Sequence, residues 1–360
     1  MSPLDGILVL DFSTLLPGPM ASLMLAEAGA QVIKIERPGS GDEMRSYEPK
    51  VDADSVNFHV LNRGKRSISI DLKATDAVER LRPLIERADV VIEQFRPGVM
   101  DRLGLGAAAV HAINPRIIYC SITGWGQTGP KAQTAAHDLN YMAETGLLGL
   151  TGGRDSAPVL PPVLAADIAG GSMPAVINIL LALRQRDQSG KGAVLDIAMG
   201  ESLFCFAYWG IGNGFHSGQW PQRGGDLVTG GSPRYNIYRT ADSGHIAAAP
   251  LEDKFWARFC ELIDLPVSMR NDSAEKSEVI AAVAKCLSAY PAAHWRDVFA
   301  GEDVCCSVVI SLEEAVTDPH FRARGIFVGS LPALPLPIAG QFRVPGDRRT
   351  APALGEYLLG

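Results

Sequence analysis

The chain has 360 residues, of which 47% are apolar and 20% are charged. This balance is typical of soluble globular proteins, and the length allows one large domain or two of moderate size. The formal net charge of −7 argues against general binding to nucleic acids or membrane surfaces, but it leaves room for a local basic pocket that binds a small polyanion.

The first residues do not resemble a targeting signal. The segment MSPLDGILVLDFS lacks the basic start and the small-residue cleavage site of a signal peptide. The longest apolar run, 173–183, is interrupted by Asn178 and is shorter than a bilayer requires. We therefore expect a cytoplasmic protein without a membrane-spanning segment.

Strands and helices alternate along the first third of the chain. The apolar patterns predict strands at Ile7–Phe12, Ala30–Glu36, Ser67–Leu72, Asp89–Phe95 and Arg116–Ile122. Helices are predicted after the first strand and at Thr75–Ala88, so we expect a parallel sheet with right-handed crossovers. The first turn, STLLPGP, lacks the GxGxxG pattern of dinucleotide sites, which argues against a nicotinamide or flavin cofactor bound in that way.

The rest of the chain predicts a second, smaller domain. A long helix is expected at 165–184, and a segment rich in glycine and aromatic residues follows at 204–231. A hairpin begins near Tyr235, and further helices are predicted at Asp253–Ile263, Lys276–Ser288 and Ala292–Ala300. We predict a large α/β domain at 1–200, completed by 325–360, and a small α+β domain at 234–312. The predicted linkers are 201–233 and 313–324.

The six cysteines show neither a CxxC pair nor the spacing of metal ligands. We therefore predict no metal site and interpret the cysteines as buried free thiols. The adjacent pair Cys305 and Cys306 could form a disulfide only with strained geometry.

Two segments carry acid/base side chains at predicted helix starts. In AAHDLNY, His137 precedes Asp138, which could cap the helix; in LAADIAGG, Asp167 stands at the expected N-cap of the long helix. Histidine is the side chain best suited to proton transfer at neutral pH, and a carboxylate could form the second member of an acid/base pair. A structural histidine and a plain helix cap are the alternative interpretations. The glycines after Asp167 suggest close approach of another backbone or of a ligand.

Basic side chains flank several of the predicted strands. The carboxyl ends of parallel strands form the ligand crevice of an open sheet, where such side chains could bind phosphates. The alternative is scattered, solvated charge. The predicted phosphate ligands are Arg37, Lys65, Arg66, Arg96 and Arg102.

The chain resembles the family III CoA-transferases (the CaiB/BaiF family) and, among them, the alpha-methylacyl-CoA racemases. Matching stretches occur in order along nearly the whole chain and include LLPGPMASLMLAEAGAQVIKIERPGSGDEMR, NRGKRSISIDLK, NPRIIYCSITGWGQTGP, HDLNY, ADIAGG and DPHFRARGIF. The resemblance implies a Rossmann-like large domain, a small domain joined by two linkers, and an interlocked homodimer. It further implies that CoA lies on the large domain as part of an acyl-CoA substrate, with no separate cofactor.

The resemblance also assigns roles to residues. It implies that His137 and Asp167 are opposed acid/base groups, that Asp138 is the carboxylate beside the histidine, and that Glu252 is an acidic residue contributed by the small domain. The implied reaction is racemisation of 2-methylacyl-CoA thioesters through an enolate, whose oxygen we expect to bind N–H groups at the Asp167 helix start. We also expect that Arg234, which replaces an aromatic residue, could bind a second carboxylate of the acyl group.

Two other functions remain open at this stage. In the CoA transferases, the position of Asp167 is a nucleophile that forms a mixed anhydride, and the histidine is usually absent. A non-catalytic protein that binds CoA thioesters is the alternative from another class. The histidine is therefore the residue that favours proton transfer.

Overall fold

The structure is a computed structural model that describes residues 2–272, 275–327, 335–344 and 350–357. The chain divides into two compact units, which are described separately. The first comprises Met1–Thr145, Val163–Phe206 and Gly325–Gly360, and the second comprises Gly146–Pro162 and Ala207–Arg324. Residues 146–162 thus belong with the second unit, although the sequence placed them in the large domain.

The first unit is built on a six-stranded parallel sheet, which confirms the predicted α/β class. Its strands are β1 (Leu8–Asp11), β2 (Gln31–Glu36), β5 (Arg66–Ser69), β6 (Val90–Glu93), β7 (Ile118–Thr123) and β8 (Ala193–Ala198), and a small hairpin is formed by β3 (Lys50–Val51) and β4 (Asp54–Ser55). The order in the sheet is β5-β2-β1-β6-β7-β8. The central strands are almost entirely buried, as expected for a sheet covered on both faces.

Helices connect the strands of the first unit. They are α1 (Pro17–Glu27), α2 (Val56–Asn62), α3 (Ala77–Arg87), α4 (Val99–Arg102), α5 (Ala107–Ile113), α6 (Asp138–Glu144), α7 (Met173–Ser189) and α8 (Met199–Ser202). A π-helical turn, Ala166–Ser172, leads directly into α7, and short 3-10 turns lie at Glu43–Ser46, Leu203–Ala207 and Gly340–Phe342. Helix α1 is buried along its whole length and begins with a proline, whose fixed φ suits the first helical turn.

The second unit combines a three-stranded antiparallel sheet with helices. Its strands, in the order β11-β10-β9, are β9 (Asn236–Arg239), β10 (His245–Ala248) and β11 (Cys306–Val308). Its helices are α9 (Tyr208–Ser217), α10 (Asp253–Leu262), α11 (Lys276–Leu287), α12 (Ala292–Phe299), α13 (Leu312–Thr317) and α14 (Pro319–Ala323), with 3-10 turns at Leu148–Leu150, Leu227–Thr229 and Val267–Met269. Trp256, Phe259, Trp295 and Phe299 form the centre of its core.

The long apolar helix exceeds the run identified in the sequence. With its π-helical turn, the helix extends over the 24 residues Ala166–Ser189. The mean hydropathy of an 18-residue window within it is 1.6. Among the described residues, this is the one helix long and apolar enough to cross a membrane. Length and composition are a weak indication by themselves, because the core helix of a soluble protein meets the same criteria.

All six cysteines are free thiols, but the expectation that they are buried holds only in part. Cys120 and Cys260 are buried, whereas Cys205 and Cys305 are exposed. Burial raises the pKa of the Cys306 thiol to about 12, so this member of the adjacent pair stays protonated at neutral pH.

Candidate active site

A cavity of about 220 Å³ lies at the carboxyl edge of the parallel sheet, within the first unit. The strand order reverses between β1 and β6, and the loops that follow these two strands both line the cavity. Ligands of open α/β sheets bind at such a reversal. The lining residues are Leu15, Leu16, Pro17, Gln94, Phe95, Arg96, Pro97, Ile122, Thr123, Gly124, Trp125, Ala132, Thr134, Ala135, Ala136, His137, Tyr141, Asp167 and Met199.

His137 and Asp167, the predicted acid/base pair, both line this cavity although they are 30 positions apart. His137 is exposed and occupies the N-cap of α6, where its backbone N–H donates to Oδ1 of Asn140 at 3.0 Å. The sequence had placed Asp138 at the cap. Asp138 is instead the first helical residue, and it is buried.

Asp138 joins the two segments. Its Oδ2 accepts a hydrogen bond of 3.0 Å from the backbone N–H of Asp167, which holds the start of the π-helical turn against α6. Asp167 is therefore not the N-cap expected from the sequence but a residue of the first turn. Its N–H, one of the groups at this helix start that we expected to bind an enolate oxygen, already donates to Asp138.

The half-buried Asp167 carboxyl has an altered proton affinity. Burial, together with the negative charge of Asp138, raises its pKa to about 6, while the nearby His137 acts in the opposite direction. A carboxyl with such a pKa is present in both protonation states near neutral pH. The group can therefore either accept or donate a proton, as a general base or acid must.

The paired glycines after Asp167 allow the close backbone approach that the sequence suggested. A Cβ atom at Gly170 would lie 2.6 Å from the backbone oxygen of Met199, and one at Gly171 would lie 3.0 Å from the Met199 side chain. The hydroxyl of Ser172 donates to the backbone oxygen of Pro17 at 2.7 Å. These contacts fix the π-helical turn, a feature frequent at functional sites.

The five predicted phosphate ligands do not form one basic crevice. Arg96 lines the cavity, whereas Arg37 donates to the backbone oxygen of Gly41 and pairs with Glu43. Lys65 is buried, and its ammonium donates to Asp11, Asn62 and the backbone of Pro19.

Two further members of that set also lie outside the cavity lining. Arg66 is exposed, with its guanidinium 5.0 Å from the ring centre of Tyr357, and Arg102 is exposed in α4. Lys65 and Arg66 stand at the amino end of β5. The residues therefore flank their strands at different ends, which is why they do not converge.

The second unit holds the remaining predicted residues. Glu252 is exposed and directly precedes α10. Arg234 is engaged within the unit: its guanidinium forms two hydrogen bonds with Asp272, of 2.7 and 2.9 Å, and a third with Asp253. With its donors used in this way, Arg234 holds the unit together and is not the free carboxylate receptor suggested by the sequence.

The polar cavity residues that the sequence analysis missed include Thr123, Trp125 and Tyr141. Thr123 ends β7, Trp125 follows it, and Tyr141 projects from α6, where its hydroxyl donates to the backbone oxygen of Ala136 at 3.1 Å. Thr123 and Trp125 follow a predicted strand, and Tyr141 lies in the same segment as His137, so their positions in the sequence could have indicated that they line the site. Within the described part of the chain, no cluster of three or more His, Cys, Asp or Glu residues could hold a metal ion.

Comparison with known proteins identifies the group to which this arrangement belongs. The model of CoA-transferase family III matches residues 4–357. The chain is 35% identical to alpha-methylacyl-CoA racemase of Mus musculus, over 99% of this chain and 91% of the mouse protein. It is 34% identical to acetyl-CoA:oxalate CoA-transferase of Acetobacter aceti, over 98% of this chain and 93% of that protein.

Solved structures agree with this result. A CAIB/BAIF family protein from Brucella suis superimposes with a TM-score of 0.86 at 30% identity, covering 99% of this chain and 97% of that one. The relatives include proteins named as racemases and proteins named as CoA-transferases, so the comparisons place this protein in an enzyme group that contains both. The chain belongs to CoA-transferase family III.

Proposed function

We propose that the protein racemises or epimerises 2-methylacyl-CoA thioesters by proton transfer at the carbon next to the thioester carbonyl. The observation that carries this proposal is that His137 and Asp167 line a single cavity. A histidine and a carboxyl with a pKa of about 6 are suited to exchange protons with a carbon acid near neutral pH. The similarity to alpha-methylacyl-CoA racemase supports the same reaction.

The proposed reaction uses the two groups in turn. The thioester carbonyl acidifies the neighbouring carbon, and either His137 or Asp167 removes its proton, depending on the configuration of the substrate. The electron pair moves to the carbonyl oxygen and forms an enolate. The other group then donates a proton to the opposite face of the carbon, which inverts the centre. CoA takes part only as a portion of the substrate.

The residues around His137 and Asp167 support this mechanism. Asp138 fixes the backbone of Asp167 and keeps the pKa of its carboxyl high. Arg96 is the basic residue of the predicted set that lines the cavity, and we propose that it binds a phosphate of CoA. We further propose that Glu252 of a second copy approaches His137 and orients its ring.

We propose that the chain forms a homodimer, because several large apolar side chains are exposed. Ile177 and Leu181 of α7 are 56% and 64% exposed, and Tyr208 and Phe215 of α9 are 75% and 83% exposed. Large apolar side chains left exposed on a helix are typical of surfaces that are buried on association. Light scattering should give twice the mass of 38.4 kDa, whereas a monomeric mass would contradict the proposal.

A CoA transfer reaction is the second candidate. The half-buried carboxyl of Asp167 could attack a thioester carbonyl, so that the C–S bond breaks, CoA leaves as its thiolate and a mixed anhydride forms. A similar chain from Acetobacter aceti is an acetyl-CoA:oxalate CoA-transferase. Such a reaction needs a free acid as the acceptor of CoA. It would not require inversion at the carbon next to the carbonyl.

One experiment separates the two candidates. A single epimer of a 2-methylacyl-CoA is incubated with the enzyme in deuterated water, with and without a free carboxylic acid. Racemisation predicts deuterium at the 2-position and formation of the other epimer without any added acid. If CoA moves to the acid while the 2-position keeps its proton and its configuration, the racemase proposal is wrong.

A further inference from the structure

Two buried hydrogen-bond donors of the cavity have no partner among the described residues. They are the hydroxyl Oγ1 of Thr123 and the indole Nε1 of Trp125, and both residues line the same cavity as His137 and Asp167. Thr123 is only 6% exposed. Because buried polar atoms of folded proteins are nearly always hydrogen-bonded, a pair of unpartnered donors at one cavity calls for an explanation.

The surrounding contacts hold both residues in place. Thr123 is the last residue of β7, where it pairs in register with Ala198 of β8. The ring of Trp125 meets Tyr141 edge-on, with 5.2 Å between ring centres, and Lys131 lies 4.7 Å from the Trp125 ring centre on a face.

Gly200 completes the enclosure of the indole. A Cβ atom at this position would lie 2.7 Å from the Trp125 ring, so the chain has no side chain where the ring packs. The N–H of an indole held in this way cannot turn to find a partner elsewhere. The packing around Trp125 therefore explains why its indole N–H has no hydrogen-bond partner.

Two backbone donors near the cavity are already engaged. The backbone N–H of Asp167 donates to Asp138, and that of Gly18 donates to Oε1 of Gln94 at 3.0 Å. Among the described side chains that line the cavity, the donors of Thr123 and Trp125 are the ones buried without a hydrogen bond. A buried donor without a partner is unfavourable, and a hydrogen bond to an oxygen of a bound ligand would remove that cost.

We propose that Thr123 and Trp125 are further catalytic residues, which donate hydrogen bonds to the thioester carbonyl oxygen of the acyl-CoA. This inference rests on the proposed racemase function. When the base removes the proton from the 2-position, the C–H electron pair forms a carbon–carbon double bond and the carbonyl π pair moves onto oxygen. The two donors stabilise the resulting negative charge, and protonation of the carbon from the other face restores the carbonyl. Donors placed in advance stabilise charge that develops during a reaction more strongly than mobile water does.

If Thr123 and Trp125 bind the enolate oxygen, their replacement should have a different effect from replacement of His137 or Asp167. The enolate oxygen is common to both epimers, whereas each base serves one face of the carbon. Thr123→Val should therefore slow deuterium exchange of both epimers by the same factor, roughly 10²-fold, as for other donors to an oxyanion. Trp125→Phe, which keeps a ring but removes the N–H, should also slow both epimers equally. The ratio of exchange to inversion should stay at the wild-type value in both variants.

Matched variants test whether the hydroxyl itself is responsible. Thr123→Ser keeps the hydroxyl and should restore most of the rate. Thr145→Val removes a hydroxyl that is already bonded to the backbone oxygen of Tyr141 at 2.8 Å, and its exchange rate should equal that of the wild type. Circular dichroism of each variant checks the fold, and if Thr123→Val does not fold, Trp125→Phe and Thr123→Ser decide the matter.

The results that overturn the inference differ from those that overturn the function. If the wild type exchanges and inverts its substrate while Thr123→Val and Trp125→Phe do so within twofold of its rate, the donors have no catalytic role and the racemase function stands. Thr123→Ser as slow as Thr123→Val would assign the loss to packing and would also reject the inference. If the wild type itself shows no exchange, the proposed function fails and the inference fails with it.

Discussion

Two groups of buried polar side chains in the first unit differ in how their charges and hydrogen bonds are compensated. The first, here called the ionic cluster, consists of Asp11, Lys34, Asp42 and Lys65, whose side chains are fully buried. The Nζ atom of Lys34 lies 2.8 Å from Oδ2 of Asp42, and that of Lys65 lies 3.3 Å from Oδ2 of Asp11. In the cavity, by contrast, Asp167 forms no ion pair with a lysine or arginine among the described residues, and the exposed His137 is the basic group that acts on its pKa.

The two aspartates show the consequence for proton affinity. Burial alone would raise the pKa of the Asp11 carboxyl, but Lys34, Lys65 and two serine hydroxyls lower it to about 2. For Asp167, burial and the neighbouring Asp138 act in the same direction and raise the pKa to about 6. Compensation by cations thus makes one carboxylate a permanent structural charge, and its absence makes the other a group that titrates near neutral pH.

The largest expected effect comes from breaking the ionic cluster. In Lys34→Met the buried carboxylate of Asp42 loses its cation, and Lys34 also ceases to donate to the backbone oxygen of Ser13. We expect the free energy of unfolding to fall by about 3–5 kcal/mol, since an uncompensated buried charge remains. Urea denaturation followed by circular dichroism measures this change. A loss below about 1 kcal/mol would show that the cluster is not structural.

The next effect concerns the contact between the π-helical turn and Met199. Gly170→Ala places a Cβ atom 2.6 Å from a backbone oxygen, which cannot move away as a flexible side chain would. We expect a loss of about 1–3 kcal/mol in the free energy of unfolding, as for other overpacked sites. Gly149→Ala, at a position with no atom within 4 Å of the added Cβ, is the matched control and should be nearly neutral. Equal losses in the two variants would contradict the close approach.

Replacing Asp167 should change the free energy of unfolding in the opposite direction from breaking the ionic cluster. Its pKa of about 6 lies above the ordinary value of 3.8, so the fold disfavours the charged form. The resulting cost is absent below pH 3.8, grows between pH 3.8 and about 6 and is complete above that pH. Asp167→Asn should therefore stabilise the protein by roughly 1–2 kcal/mol at pH 8 and leave its stability unchanged at pH 4. Denaturation at the two pH values tests this, and destabilisation at pH 8 would contradict it.

The smallest effect is a displacement of the pH profile. Asp138→Asn removes a negative charge that raises the pKa of Asp167, while its amide oxygen can still accept the N–H of Asp167. The acid limb of kcat/KM for the epimer that Asp167 deprotonates lies near pH 6 in the wild type and should move to lower pH in the variant. Deuterium exchange measured from pH 4 to pH 8 follows this limb. A limb that stays in place or moves upward would show that Asp138 does not act through its charge.

Local patterns were sufficient to predict five of the six strands of the parallel sheet and the two segments that carry His137 and Asp167. Alternating strand and helix signals imply a parallel sheet, and such a sheet brings segments distant in sequence to its carboxyl edge. The glycines after Asp167 also predicted a close backbone approach because few other reasons favour two glycines in a helix.

The side-chain environments could not be predicted in the same way. Lys65 was taken for a phosphate ligand, yet it pairs with Asp11, which lies 54 positions earlier in the chain. The unpartnered state of Thr123 and Trp125 depends on residues of β8, α6 and α8 that pack around them. Such pairings are set by the tertiary structure, and no local pattern of residue types contains them.

The central claim is that His137 and Asp167 serve opposite faces of one carbon, and one-sided exchange tests it most directly. Each epimer of a 2-methylacyl-CoA is incubated in deuterated water with His137→Ala and with Asp167→Asn. We predict that neither variant inverts the substrate, and that each still exchanges the 2-proton of one epimer only, with the two variants acting on opposite epimers. Exchange of the same epimer by both variants, or inversion by either at the wild-type rate, would contradict the account.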